Sequence, residues 1–284
     1  PSMCTQSHQT PRIRQALTTA FMAASLSAPA AAQTSMRELE LPAAYAPLTS
    51  AEWIGAPALT LGSVAVRFLG PSHPPNWDGG ILFDESLYLS VAPHRQKTWR
   101  TIANISHAGF ASAMAYRLID DLLIVGAAYD SWEVATQMLG MDLEAFTIIA
   151  ATLWLPQLFV RRQRPIVGLC GDPEYAQNKC DENPERYRSF WAGHPAAATA
   201  AAGMTCVHHQ RLKIYGDPIA DGAACGVMIG LAAMTGVTRA IAGYHWPSDV
   251  LIGFAVGTLA WVLPTAIHYG FGRETATANP VTRN

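Results

Sequence analysis

Charged residues are scarce in this chain of 284 residues: they make up 14% of it, and the formal net charge is −2. This near-neutral balance gives no electrostatic reason to expect a nucleic-acid partner. The sequence also contains no internal repeat, no glycine-rich nucleotide-binding loop and no C-x-x-C spacing among its five cysteines. Half of the residues are hydrophobic, and the mean hydropathy is +0.14. Such a composition is typical of a protein that is mostly buried or partly membrane-facing.

The N-terminal segment, residues 1–32, has the pattern of a secretory signal peptide with a few upstream residues. Arg12 and Arg14 form a basic start, the stretch ALTTAFMAASLSAPA forms a short apolar core, and the alanines at 30–32 offer a cleavage site. We therefore predict export to the bacterial periplasm, with association with the inner membrane, or embedding in it, left open.

Removal of the signal peptide would leave four cysteines in the mature chain. An even number of cysteines in an oxidising compartment favours two disulfides. Proximity in the sequence suggests the pairs Cys170–Cys180 and Cys206–Cys225, although three pairings of four cysteines are possible.

Beyond residue 32 the composition changes twice. Residues 33–83 are rich in Pro, Ala, Gly and Ser and are predicted to form an extended arm, and residues 275–284 form a polar tail. Between them, residues 84–274 are predicted to form an all-α helical bundle domain. Apolar periodicity places its five main helices at about 97–128, 131–163, 194–210, 220–241 and 249–271.

A membrane-embedded bundle is the alternative to a soluble one. Residues 250–272 lack Asp, Glu, Lys and Arg and are long enough to cross a bilayer. Residues 145–160 are shorter, and the helix that starts at His194 reaches two further histidines after about 20 Å. We therefore favour a soluble periplasmic bundle.

The first of three polar stretches is PQLFVRRQRP, residues 156–165. On a continuous helix Gln157, Arg161 and Arg164 would share one face. Two guanidinium groups on one face suit a phosphate-like oxyanion, which accepts bidentate hydrogen bonds. A basic, solvated helix end is the structural alternative.

The second stretch is FWAGHP, residues 190–195, where Pro195 suits the first turn of a helix. The amides of Gly193 and His194 would then lie at a helix N-terminus, which attracts anions. A histidine that only caps or packs is the alternative for this stretch taken alone.

The third stretch is TRAIAGYHWPSD, residues 238–249, which contains Arg239, His245 and Asp249. A carboxylate near a histidine can accept its Nδ1–H and leave Nε2 free as a nucleophile. The alternative is a loop histidine followed by an aspartate that caps a helix.

Taken together, the three stretches resemble the type 2 phosphatidic acid phosphatase superfamily, which includes bacterial non-specific acid phosphatases and vanadium haloperoxidases. The signature of that superfamily is Lys-x6-Arg-Pro, then Pro-Ser-Gly-His, then Ser-Arg-x5-His-x3-Asp. The resemblance covers about residues 84–272, and the residues that carry it are Arg164, Pro165, Gly193, His194, Arg239, His245 and Asp249.

The resemblance implies a helical bundle in which the three motifs meet at one oxyanion pocket. It implies that His245 is the nucleophile, that Asp249 orients it, and that His194 protonates the leaving group and later activates water. Arg164, Arg239 and the Gly193 amide would bind the phosphoryl oxygens. Hydrolysis of this kind implies no metal and no other cofactor.

Four positions depart from the signature: Gln157 replaces the lysine, Trp191 and Ala192 replace the proline and the serine of the second motif, and Thr238 replaces the serine of the third. The loss of one hydrogen bond to a charged group costs about 1.5–3 kcal/mol, so the changes predict a weakened enzyme rather than an inactive one. One turn from Gln157, Arg161 could supply the missing positive charge. Gln157, Arg161 and Ala192 are therefore further candidates for phosphate binding.

The function expected from the sequence is an exported phosphatase that acts on a phosphate ester or a lipid phosphate through a phosphohistidine. A vanadium-dependent haloperoxidase, with vanadate as its cofactor, is one alternative. A catalytically weakened anion- or lipid-binding protein is the other, and it is motivated by Gln157 and Ala192. Nothing in the sequence indicates an oligomeric state.

Overall fold

The computed structural model describes residues 38–69, 76–92, 96–171 and 185–270; the predicted signal peptide and tail lie outside these ranges. The described residues contain helices and no strand, apart from an isolated β-bridge between Trp77 and Arg162. The predicted all-α class is therefore confirmed. The helices are α1 (Ser50–Leu69), α2 (Asp84–Val91), α3 (Gln96–Leu118), a π-helical segment (Ile119–Ala128), α4 (Trp132–Val160), the single turn α5 (Pro165–Gly168), α6 (Gly193–Leu212), α7 (Pro218–Ile241), α8 (Pro247–Thr265) and a second π-helical segment (Ala266–Gly270).

The N-terminal arm is helical where we expected extended chain. Helix α1 begins with a capping box, in which Glu52 Oε2 accepts the Thr49 N–H at 2.5 Å and Thr49 Oγ1 accepts the Glu52 N–H at 3.4 Å. The helix then packs against α4, where the hydroxyls of Thr60 and Thr147 lie 2.8 Å apart. This cap and this packing outweigh the helix-breaking tendency of Pro57, so the prediction of an extended arm is wrong for residues 50–69.

Helix α6 is the central helix of the bundle and contacts α3, α4, α7 and α8. Its alanines are buried on several faces; Ala196, Ala198 and Ala200 are all fully buried. A helix that is apolar all round is stable only when other helices surround it. The alanine-rich run after His194 therefore explains why α6 lies in the middle.

Helix α8 approaches the backbone of α6 through two glycines one turn apart. A Cβ atom at Gly253 would lie 2.5 Å from the carbonyl oxygen of Ala192, and one at Gly257 would lie 2.3 Å from that of Ala196. This spacing is the G-x-x-x-G pattern that lets two helices pack closely. The contact holds the N-termini of α6 and α8 side by side, which is where the second and third motifs lie.

The predicted Cys206–Cys225 disulfide is present and joins α6 to α7. Cys170 is also disulfide-bonded. The other member of the predicted pair, Cys180, lies outside the described residues.

A buried ion cluster lies at the end of the bundle away from the three motifs. Arg117 contacts Asp120 at 2.9 Å, Asp121 at 2.5 Å and Asp142 at 2.8 Å, and all four side chains are at most 5% exposed. One guanidinium group compensates several carboxylates there, so the cluster ties α3, the first π-helical segment and α4 together.

Among the described residues, three helices, rather than the single one expected, are long and apolar enough to cross a membrane: α4, α7, and α8 with the π-helical segment that follows it, Pro247–Gly270. Only 28%, 33% and 33% of their most apolar windows is buried. Outward-facing residues include Val227, Leu251 and Leu259, which are 62%, 56% and 57% exposed. Our sequence-based preference for a soluble bundle missed α4 and α7, because their acidic residues lie towards their N-termini and leave long uncharged stretches. The exposed apolar surface supports membrane association.

Candidate functional site

The three motifs meet at one cavity of about 600 Å³. The first motif supplies the C-terminal end of α4 and the start of α5, the second the N-terminus of α6, and the third the C-terminal end of α7 and the loop before α8. The motif residues that line the cavity are Gln157, Arg164, Gly193, His194, Arg239 and His245.

His245 lies in the loop between α7 and α8 and is 2% exposed. Its Nδ1 is 2.6 Å from the carbonyl oxygen of Ser189. A carbonyl oxygen can only accept, so Nδ1 carries the proton and Nε2 has a free lone pair. Burial, and then the positive charges of Arg164 and Arg239, hold the pKa of His245 well below its usual value. The imidazole is therefore neutral and available as a nucleophile.

Asp249 does not contact the imidazole that it was predicted to orient. Its Oδ2 accepts the hydroxyl of Ser189 at 2.6 Å and the N–H of Trp246 at 3.2 Å, whereas the His245 Nδ1–H goes to the Ser189 carbonyl. The predicted direct hydrogen bond is therefore wrong. Asp249 lies in the first turn of α8, where it caps the helix and fixes Ser189, and Ser189 in turn fixes His245.

Arg162 is a buried support of this arrangement that the sequence did not reveal. Its guanidinium contacts Asp249 Oδ1 at 2.5 Å and Asp84 Oδ2 at 2.7 Å, and all three side chains are fully buried. Ser248 accepts a further hydrogen bond from it at 3.0 Å, and the guanidinium lies 4.1 Å from the centre of the Trp77 ring. Arg162 thus joins the start of α2 to the start of α8 beneath His245.

His194 and Arg239 lie side by side in the cavity and contact each other. Arg239 Nη2 is 3.2 Å from His194 Nδ1 and 3.4 Å from Nε2. Burial, and then the positive charge of Arg239, lower the pKa of His194 to about 3. This imidazole is therefore neutral, and an anion bound beside it would raise its pKa.

The two arginines of the signature both present unused donors. The Nε atoms of Arg164 and Arg239 are buried and have no hydrogen-bond partner among the described residues. Burial lowers the pKa of Arg164 to about 10, so the group still carries its charge at neutral pH. An unsatisfied buried guanidinium donor is costly unless an anion accepts from it, so this pair favours an oxyanion ligand.

Gln157 lines the cavity, but its Nε2 donates to the carbonyl of Trp191 at 3.2 Å. Ala192 is fully buried and does not line the cavity; its N–H donates to the carbonyl of Asp249 at 3.2 Å. Arg161 is also absent from the lining. Helix α4 ends at Val160, Arg161 adopts a left-handed conformation with φ 44°, and its side chain contacts Asn76. The hypothesis that Arg161 replaces the missing lysine is therefore wrong, because the helix does not continue through it.

Three polar residues outside the signature also line the cavity: Arg67 on α1, His107 on α3 and Glu185. Arg67 pairs with Glu185 at 2.7 Å and lies 5.1 Å from the centre of the Trp154 ring. Glu185 also approaches Arg164 at 3.7 Å. No motif pointed to these residues, because only tertiary packing brings α1 and α3 to the site.

The wall of the cavity beyond these polar groups is apolar. Phe110 on α3 contacts His194 edge-to-face, with ring centres 4.7 Å apart. The larger apolar side chains of this wall are those of Val64, Phe110, Phe146, Ile149, Leu153 and Trp154. The site therefore combines an anion-binding end with a surface that can accommodate a hydrocarbon group.

Among the described residues, no group of three or more His, Cys, Asp or Glu side chains at this cavity has the donor spacing needed to hold a metal ion. The described residues contain one group with suitable donor spacing, Glu52, Glu144 and His268, which lies elsewhere. Glu52 belongs to the capping box of α1, and Glu144 pairs with His268 Nε2 at 2.9 Å. Each of these contacts has a structural explanation without an ion.

Comparison with known proteins gives one family and one solved structure. Residues 143–273 match the model of the PAP2 superfamily. The crystal structure of a transmembrane PAP2-type phosphatidylglycerolphosphate phosphatase from Bacillus subtilis is similar to this chain, with a TM-score of 0.49 and 16% identity over 77% of this chain and 98% of that one. A search of curated proteins finds no match.

Proposed function

We propose that this chain is an exported, membrane-associated phosphatase of phosphate monoesters and that it belongs to the PAP2 superfamily, whose model matches residues 143–273. Membership supports a phosphatase-type hydrolase in general. The observation that carries the more specific proposal is the cavity itself. In it a histidine with a free Nε2 lies with a second histidine and two arginines whose Nε donors have no partner.

In the proposed first step, Nε2 of His245 attacks the phosphorus of the substrate. An N–P bond forms, the bond between phosphorus and the leaving oxygen breaks, and a phosphohistidine results. The carbonyl of Ser189 stabilises the positive charge that develops on the ring through its hydrogen bond with Nδ1–H at 2.6 Å. His194 takes up a proton from solvent when the phosphate anion binds beside it, and it gives this proton to the leaving alkoxide.

In the second step, the now neutral His194 takes a proton from water, and the resulting hydroxide attacks the phosphorus. The N–P bond breaks, and inorganic phosphate leaves. Arg164 and Arg239 act in both steps by donating to the phosphoryl oxygens, on which negative charge is concentrated in the transition state. All of these donors are held by packed helices, so they need little reorganisation during the reaction.

The apolar wall supports a lipid phosphate as the substrate. Trp154, Leu153 and Ile149 lie on α4, which is itself long and apolar enough to cross a membrane. A lipid in the bilayer could thus bring its phosphate to the arginines while its chains stay next to apolar side chains. We propose a phosphatidic acid-like monoester as the preferred class, with small phosphate esters as poorer substrates.

An experiment on leaving groups tests these roles in the detergent-solubilised full chain. Phosphate release would be measured from a phosphatidic acid in mixed micelles and from p-nitrophenyl phosphate, whose leaving group needs no protonation. His245→Ala should abolish release from both. In the first turnover, before the phosphohistidine is hydrolysed, His194→Ala should slow departure of the leaving group from the lipid by about 10²–10⁴-fold and slow departure of p-nitrophenol much less.

The same preparation separates the alternative functions. Bromide oxidation with peroxide and added vanadate, in the absence of phosphate release, would indicate a haloperoxidase instead. Vanadate binding without turnover in either assay would indicate a protein that binds anions but does not catalyse. Equal slowing of leaving-group departure from both substrates in the first turnover of His194→Ala would contradict the assignment of His194 as general acid.

A further inference from the structure

His107 lies in the cavity although it belongs to none of the three motifs. It is on α3, before the residues that match the family, and it lines the same wall as His194 and Arg239. Its Nε2 is 3.3 Å from Arg239 Nη1. Its ring meets that of His194 edge-to-face, with centres 5.5 Å apart, and that of Tyr244 at 6.1 Å.

Close packing between α3 and α7 fixes this position. The Ser106 hydroxyl donates to the carbonyl of Thr235 at 3.5 Å. A Cβ atom at Gly109 would lie 2.7 Å from Thr235 Oγ1, so the two helices approach closely at this level. Arg239 follows Thr235 by one turn on α7. His107 is therefore held next to the guanidinium by a rigid contact and not by a mobile loop.

The hydrogen-bonding chemistry of this pair depends on protonation. A guanidinium group only donates, so Nε2 of His107 is an unprotonated acceptor while it faces Arg239. Burial, and then the charge of Arg239, lower the pKa of His107. Arg239 Nη1 thus faces His107, and Nη2 faces His194. An oxyanion that takes over these two donors would leave both imidazoles beside a negative charge.

We propose that His107 is a phosphate-binding residue: when a phosphoryl group binds to Arg239, His107 takes up a proton from solvent and donates an Nε2–H hydrogen bond to a phosphoryl oxygen. This proposal rests on the proposed function. The donor offsets the hydroxyl that the family signature has at the position of Ala192. The groups that face His107 are Arg239, His194 and Tyr244, and Arg67, Arg164, Glu185 and His245 line the rest of the cavity.

Binding of inorganic phosphate to the detergent-solubilised full chain, measured by calorimetry between about pH 5 and about pH 8, tests this proposal. His107→Phe removes the donor, and His107→Gln keeps a donor that cannot titrate. Asn104→Ala is the control, because Asn104 is an exposed residue one turn earlier on α3 that does not line the cavity. Calorimetry in buffers of different ionisation enthalpy also reports how many protons are taken up on binding.

At the acidic end we expect His107→Phe to weaken phosphate binding by about 10- to 100-fold, the effect of one hydrogen bond to a charged group. The loss should shrink towards the alkaline end, where His107 has no proton to donate. His107→Gln should restore part of the affinity, take up fewer protons than the wild type and show a shallower pH dependence. Asn104→Ala should behave as wild type.

A loss of affinity that is the same at every pH would overturn the proposal, because it would mean that His107 only positions Arg239. Wild-type affinity in His107→Phe, or a wild-type pH dependence in His107→Gln, would also overturn it. If the wild type hydrolyses phosphate esters while these variants bind phosphate normally, the proposal for His107 fails and the proposed function stands. If the wild type neither hydrolyses esters nor binds phosphate, both fail.

Discussion

Replacement of Arg162 by methionine should be among the most destabilising single changes near the site. The guanidinium is the partner of two fully buried carboxylates, Asp84 at 2.7 Å and Asp249 at 2.5 Å. Removal of one partner from a buried ion pair costs about 3–5 kcal/mol, because an uncompensated charge stays behind. Replacement of Arg162 leaves two unpaired carboxylates, so we expect the unfolding free energy to fall by about 3–5 kcal/mol or more.

The neighbouring arginine provides a matched control. Arg161 is partly exposed and contacts Asn76 rather than an acidic group, so Arg161→Met should change the unfolding free energy by less than about 1 kcal/mol. It should also leave phosphate affinity unchanged, contrary to the role that helical spacing suggested for it.

Denaturant unfolding of both variants in the same detergent, followed by tryptophan fluorescence, measures the difference. Activity should also fall in Arg162→Met, because Asp249 would no longer be held against Ser189. Addition of Asp84→Asn to Arg162→Met should recover part of the lost stability, since it removes one of the two unpaired charges. Similar stabilities for Arg161→Met and Arg162→Met would refute the reasoning.

Three further predictions concern charge, pH and covalent structure. Gln157→Lys should increase phosphate affinity by about tenfold, since it adds a charged donor at the cavity, and unchanged inhibition by phosphate would contradict this. Folding lowers the pKa values of His194 and His245, so the unfolded chain binds more protons than the folded chain does. The unfolding free energy should therefore fall as the pH drops below about 6.5, by up to about 1.4 kcal/mol per pH unit for each of the two groups. Phosphate should reduce this dependence, and a melting temperature with the same pH slope with and without phosphate would argue against it. Simultaneous replacement of Cys206 and Cys225 by serine should lower the unfolding free energy by about 3 kcal/mol, which is the loss of chain entropy expected for a disulfide with a sequence separation of 19. An unchanged denaturation midpoint would contradict this prediction.

Much of the fold and of the site could be read from the sequence because local patterns determine them. The alanine-rich run after His194 predicts a helix at about 194–210, and the structure has a helix at Gly193–Leu212. Pro195 and Pro247 suit first helical turns, and both helices begin within two residues of them. Residues next to the ends of helices line one cavity: Arg164, Gly193, His194, Arg239 and His245.

The remaining features depend on contacts that no local pattern encodes. Helical spacing predicts that Gln157, Arg161 and Arg164 share one face of a continuous helix. The left-handed conformation of Arg161 ends α4 before that residue, so the side chain that points inward is that of Arg162 and not that of Arg161. His107 and Arg67 lie on helices that reach the cavity only through packing against α7 and α4. Ser189 contributes a backbone carbonyl, and any residue type could provide that group.

The central claim is that His245 carries the phosphoryl group during turnover. Rapid mixing of the full chain with radiolabelled p-nitrophenyl phosphate, whose leaving group needs no protonation, followed by an alkaline quench, should trap label on the protein, because phosphohistidine survives alkali and is lost in acid. We predict label on the wild type, more label on His194→Ala because its hydrolysis step is slowed, and none on His245→Ala. Label that persists in His245→Ala, or turnover in that variant at the wild-type rate, would contradict the account.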